Sequence, residues 1–186
     1  SRNLIEDGFV KKLDQMKEIS KNRSLTIASY ISFPRSTDMV NALRLMVCPY
    51  ESYDVYNHCG QTGSTKKNCD QCVGGLLDRD LYSKLLSPGQ RSGLFSVSST
   101  TVENYYSDNE INFFYLNVGN EIGRVEIPSW IASDEEKLNL THTLILDQCN
   151  RGRGYPIGLM EAHEQAVVNG SDRRYFVELV ENALYD

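Results

Sequence analysis

No apolar run in this chain approaches the ~20 residues that a membrane-spanning helix needs. No hydrophobic leader precedes the first helical pattern, which is already amphipathic at Leu4. These two absences predict a cytoplasmic protein with no membrane partner. An excess of basic charge is missing as well. Against 19 Lys and Arg stand 25 Asp and Glu, a net charge of −6, which argues against a broad nucleic-acid-coating surface. An enzyme acting on nucleic acid through a local basic patch stays compatible, because carboxylates that hold metal ions make such enzymes acidic overall. Internal repeats and low-complexity segments are also absent. The chain opens on Ser1, not Met, which predicts a piece of a longer polypeptide.

What is present suits one globular domain over residues 1–186: 40% hydrophobic and 24% charged residues, enough to bury a sizeable core. Apolar positions 5, 9, 13, 16 and 19 have the helical period, so residues 4–19 read as a helix that Gly8 weakens by about 1 kcal/mol. Residues 25–32 are β-branched and aromatic, and read as a buried strand. Ser36 or Thr37 then caps a helix through Val47, giving an α/β unit. Asp78 caps a short helix stopped at Ser87-Pro88-Gly89. Asp78 and Asp80 lie two apart and face different directions, which disfavours a joint metal site.

The clearest hairpin joins residues 111–118 to 121–127 through Gly119-Asn120. In its second strand Ile122, Arg124 and Glu126 share one face, with Arg124 and Glu126 expected as a surface pair. Ser133-x-x-Glu136 reads as a capping box for a helix through Cys149, with His142 a structural residue on its buried stripe. A last helix starts at Ser171 or Asp172 and runs through Leu184.

Residues 48–75 stand apart as a polar insertion. They hold Cys48, Cys59, Cys69 and Cys72, with His58 beside Cys59. Nearly thirty residues is long for a loop unless something staples it. The four cysteines permit a tetrahedral structural zinc site, and zinc can supply on the order of 10 kcal/mol of ordering free energy. Free thiols, or disulfides that a reducing cytosol disfavours, are the alternatives.

The chain is organised around residues 144–168, LILDQCNRGRGYPIGLMEAHEQAVV. A helix ends near Cys149, and a second begins with Pro156 at its first position. Tyr155 is expected beside an unsatisfied helix N-terminus, which attracts phosphate, with Arg151 and Arg153 at the same corner. Met160, His163 and Val167 fall on one stripe, which puts an imidazole on a face that reads as buried. Taken alone, His163 fits a hydrogen-bonded core histidine and Tyr155 a helix-entry aromatic. Together with Glu161, Glu164 and the two arginines, they match the groups used by metal-assisted phosphodiester chemistry. Eight helical residues span ~12 Å, and the backward lean of helical side chains brings the imidazole toward Tyr155.

The run FFYLNVGNEIGRVEIPSWIA, followed by LDQCNRGRGYPIGLMEAHEQAVV, resembles the carboxyl-terminal half of the NurA nuclease family. LTIASYISFPRSTDMVNALRL is similar to that family's internal strand-plus-helix segment, so the resemblance covers residues 25–176. Its most specific element is Gly154-Tyr155-Pro156 followed by His163. The cysteine insertion looks like a feature of only part of the family.

The resemblance implies an RNase H-like α/β fold, a mixed sheet flanked by helices, incomplete at its N-terminus. It implies a manganese- or magnesium-dependent nuclease that resects DNA ends, a homodimer working with a HerA-type hexameric helicase. Tyr155 and His163 match the family's late tyrosine and histidine. By this likeness they are catalytic, His163 is a metal ligand, and Arg151 and Arg153 bind DNA. The family's early acidic residues include an aspartate in a D-G-S motif. None occurs here, since Asp7-Gly8 is followed by Phe9, and by order those carboxylates precede Ser1. A non-catalytic DNA-end or helicase-docking module, with the cysteine loop as its surface, is the other reading. Substitution of a lost ligand by Asp78, Asp80 or Asp147 is a third.

Overall fold

The hairpin forms where the sequence places it. In the computed structural model, which describes residues 8–21, 23–48, 73–98, 106, 109–167 and 170–185, β3 (Ile111–Asn117) pairs with β4 (Ile122–Pro128). Phe114 stands opposite Val125 and Tyr115 opposite Arg124. Gly119 takes a φ of 97°, which a side chain would resist, and its N–H donates to the Asn117 side chain at 2.9 Å.

Two short strands extend the hairpin on either side. β1 (Ser29–Ile31) pairs with β4, and β2 (Phe95–Ser96) with β3, giving the order β1-β4-β3-β2. All three pairings are antiparallel, so the sheet among the described residues is not the mixed one expected. A two-residue turn can only join antiparallel neighbours, and no crossover helix separates these central strands. The buried strand expected over 25–32 is instead a three-residue edge whose outer residues are exposed.

Strict alternation gives the sheet two faces, each with its own core. Phe114, Leu116, Val125 and Ile127 pack with Ile131, Leu138 and Cys149 from α4 (Ser129–Ala132) and α5 (Glu135–Arg151). On the other face Phe113, Tyr115 and Ile122 meet Tyr82, whose ring stacks on Tyr115 at 4.5 Å. Tyr82 comes from α3 (Asp78–Leu85), which packs beside α2 (Asp38–Met46).

Arg124 belongs to this second interior, not to the surface. It is 8% exposed, its guanidinium lies 3.7 Å from the Phe113 ring centroid, and it pairs with both Asp38 and Glu126 at 2.9 Å. The reason is that α3 packs on this face and Asp38, the first residue of α2, reaches the guanidinium.

Asp78 also acts differently from its sequence reading. It is fully buried, and its carboxylate accepts the Met39 and Val40 amides of α2 at 3.0 and 2.9 Å, and the Tyr115 hydroxyl at 2.7 Å. It therefore caps a helix forty residues away in place of the Thr37 hydroxyl, while Asp80 reaches back to the Leu77 amide of α3. At the head of α5 the cap is Asp134 and not Ser133, accepting from the Lys137 amide. His142 is structural as expected, its Nε2 2.9 Å from the Gly89 carbonyl oxygen.

α1 (Lys11–Lys21) follows a π turn at residues 8–10. α6 (Ile157–Ala166) and α7 (Gly170–Tyr185) close the chain. Cys59, Cys69 and Cys72 lie outside the described residues, and Cys48 is a half-buried free thiol. No described helix is long and apolar enough to cross a membrane.

Candidate functional site

The corner between α5 and α6 is built from backbone conformation first. α5 continues through Arg151, and the Gly152 amide donates to the Gln148 carbonyl at 3.0 Å. Arg153 is left-handed at φ 57°, and the Gly154 amide returns to the Cys149 carbonyl at 2.8 Å. This is a Schellman ending in which an arginine fills the left-handed slot that glycine usually takes. A left-handed arginine costs ~1 kcal/mol, so something else must hold it. The Asn120 side-chain amide does so, donating to the Arg153 carbonyl at 2.9 Å.

Two glycines let the turn close. A Cβ on Gly152 would lie 1.9 Å from the Tyr155 carbonyl oxygen, and one on Gly154 would lie 2.7 Å from Asn120 Nδ2. Pro156 is the N-cap of α6, one position earlier than the sequence suggests, and its carbonyl accepts from Leu159 and Met160. The helix start is not wholly unsatisfied, because Gln148 Oε1 accepts the Gly158 amide at 3.0 Å. The expected phosphate-attracting end is thus partly occupied by α5 itself.

Tyr155 is half-buried, and its ring meets Tyr30 edge-on at 5.8 Å and 78°. Tyr30 in turn donates to Glu121 at 2.7 Å, and the same carboxylate accepts the Ser32 hydroxyl at 2.7 Å and the Phe33 amide at 3.2 Å. Burial, and secondarily the bond to Glu121, push the Tyr30 phenol far above its usual range. Burial likewise pushes the neighbouring Cys149 thiol up to about 11. Tyr30 and Cys149 are therefore neutral structural groups at neutral pH.

His163 is exposed, as are residues 161–167 around it, so the stripe through Met160, His163 and Val167 is not a buried face. No described residue packs over the second half of α6, and helical periodicity alone cannot tell a covered face from a bare one. Arg151 forms an i,i+4 ion pair with Asp147 at 2.9 Å, both largely exposed. Asp147 is thus a solvent-facing partner of Arg151, and the Asp78 carboxylate is taken up by its two amides and a phenol. Among the described residues no three His, Cys, Asp or Glu side chains converge as metal ligands.

The structure therefore brings Tyr155, Arg151 and Arg153 to one corner and puts His163 on the open helix leaving it. Beside the corner an apolar groove of about 260 Å³ runs between β1 and α6, lined by Tyr30, Leu144, Pro156 and Leu159. Asn120, Glu121 and Tyr30 were not visible as site residues in the sequence. The adjacency of Asn120 to a turn glycine pointed only to a hairpin.

A family model described as NurA domain matches residues 3–168, which takes in Tyr155 and His163 and stops short of α7. No curated protein and no solved structure matches the chain.

Proposed function

The chain belongs to the NurA family, a family of nucleases, and from that premise we propose that it is the carboxyl-terminal part of a metal-dependent nuclease that resects DNA ends in double-strand-break repair. The observation that carries this reading is the α5–α6 corner. It offers a phenol, an open imidazole and two guanidinium groups within one turn-and-helix of a chain otherwise rich in acid.

Manganese or magnesium is the ion the reading requires. The described residues by themselves do not fit it, since a hard divalent ion takes about six donors and no cluster of three is present among them. The remaining ligands would come from outside the described residues, within an RNase H-like fold of which this sheet is one part. The roles open to this chain's own groups are limited and concrete. Arg153, and Arg151 once released from Asp147, hold the phosphate backbone by charge-assisted hydrogen bonds. The Tyr155 phenol orients a phosphate oxygen or the attacking water. The His163 imidazole moves a proton or serves as one ligand. Cys48, Cys59, Cys69 and Cys72 would staple their insertion with structural zinc. The working assembly would be a homodimer on a HerA-type helicase.

A non-catalytic DNA-end or helicase-docking module is the second reading. α7 favours it, with Tyr175 and Phe176 each 65% exposed. End-labelled linear duplex with manganese separates the two. Nucleotide release abolished by a chelator supports the nuclease, while DNA retention without cleavage by the full protein supports the module.

A further inference from the structure

We propose that Asn120 and Glu121, at the tip of the β3–β4 hairpin, are positioning residues that set the place and angle of Tyr155. This rests on the reading of Tyr155 as a nuclease residue. The two neighbours act by separate routes. Asn120 holds the Arg153 carbonyl at 2.9 Å and so fixes a left-handed arginine two residues before Tyr155. A backbone state that costs energy persists only when its surroundings over-determine it, and Asn120 is the side chain that does so here. Glu121 gathers three donors from the β1 end: the Tyr30 hydroxyl, the Ser32 hydroxyl and the Phe33 amide. That fixes the Tyr30 ring, which forms a T-shaped pair with Tyr155.

Both contacts are long-range in sequence, one bearing on the backbone two residues before Tyr155 and the other on the ring that Tyr155 meets. Gly123 makes room for the Tyr30 ring, since a Cβ there would collide with it. A two-residue hairpin tip thus ties the corner to the rigid sheet, the arrangement that precise placement of a reacting group requires.

The test uses Asn120→Ala, Glu121→Gln and Tyr30→Phe in the full protein, with Tyr155→Phe as background. Carbon-13-labelled tyrosine gives the Tyr155 ring resonances, assigned by their loss in Tyr155→Phe. The expected result is a shifted Tyr155 ring in Asn120→Ala and Glu121→Gln, with kcat for DNA cleavage down ~10-fold and KM within about twofold. Those losses should vanish when Tyr155 is already Phe. Tyr30→Phe, which keeps the ring and removes only the hydroxyl, guards against a Glu121 variant that fails to fold. An unmoved ring in every variant overturns the proposal, as do losses of equal size in the Tyr155→Phe background. Should Tyr155→Phe itself cleave normally, the nuclease role of Tyr155 falls, while a shifted ring still supports the positioning.

Discussion

At Gly152 one hydrogen in place of a methyl decides whether the corner can form. A Cβ there would sit 1.9 Å from the Tyr155 carbonyl oxygen, with backbone and not a flexible side chain in the way. Gly152→Ala should therefore destabilise by roughly 2–3 kcal/mol, the scale of a strained overpacking, read as a lower urea midpoint at unchanged m-value. Asp78 is the second decisive residue. Removing its carboxylate leaves two amides of α2 and the Tyr115 hydroxyl without their buried acceptor. Asp78→Ala should cost on the order of 3 kcal/mol and loosen α2, seen as faster hydrogen exchange at Met39 and Val40. The sequence marked Asp78 as a cap but assigned it to its own helix. Capping across forty residues is a tertiary contact, and local spacing carries no sign of it.

Among the elements, those built on local rules were legible. The hairpin follows from a turn pair between alternating strands, and α5 from its periodic stripe, with ends misplaced by only a residue or two. β1 was not legible at its true size, because β-propensity reports fit to a pleated surface without saying whether the strand is central or edge. α6 misled in the other direction: its periodic stripe is real but bare, leaving His163 open to solvent.

α5 carries a pH prediction of its own. Burial, chiefly, and then Arg91 lower the His142 pKa from its ordinary 6.5, against the opposing bond to Gly89. The unfolded chain then binds more protons than the folded one below that value, so this contribution is complete above about pH 6.5 and fades as pH falls. His142→Gln should flatten the stability-versus-pH curve between about pH 7 and 5, measured by denaturant titration. An unchanged slope would mean His142 titrates normally.

At the scale of the whole molecule the α/β character was readable and the sheet's strand directions were not. Pairing geometry depends on which distant segments meet, and Arg124 shows the consequence. Its surface-pair reading failed because the guanidinium lies against the Phe113 ring and Asp38, distant in sequence, pairs with it. The corner's residues were legible through Gly154, Tyr155, Pro156 and His163, whereas its supports on β1 and the hairpin tip were fixed only by folding. The family match runs over residues 3–168, a span that includes the α5–α6 corner and leaves out α7.

The most direct measurement is DNA cleavage by His163→Ala in the full protein, beside its circular dichroism and urea midpoint. Because His163 is exposed, the fold and its stability should be unchanged, while cleavage should fall ~100- to 10,000-fold, the range for loss of an acid/base group. Near-normal cleavage by a folded His163→Ala protein would contradict the account.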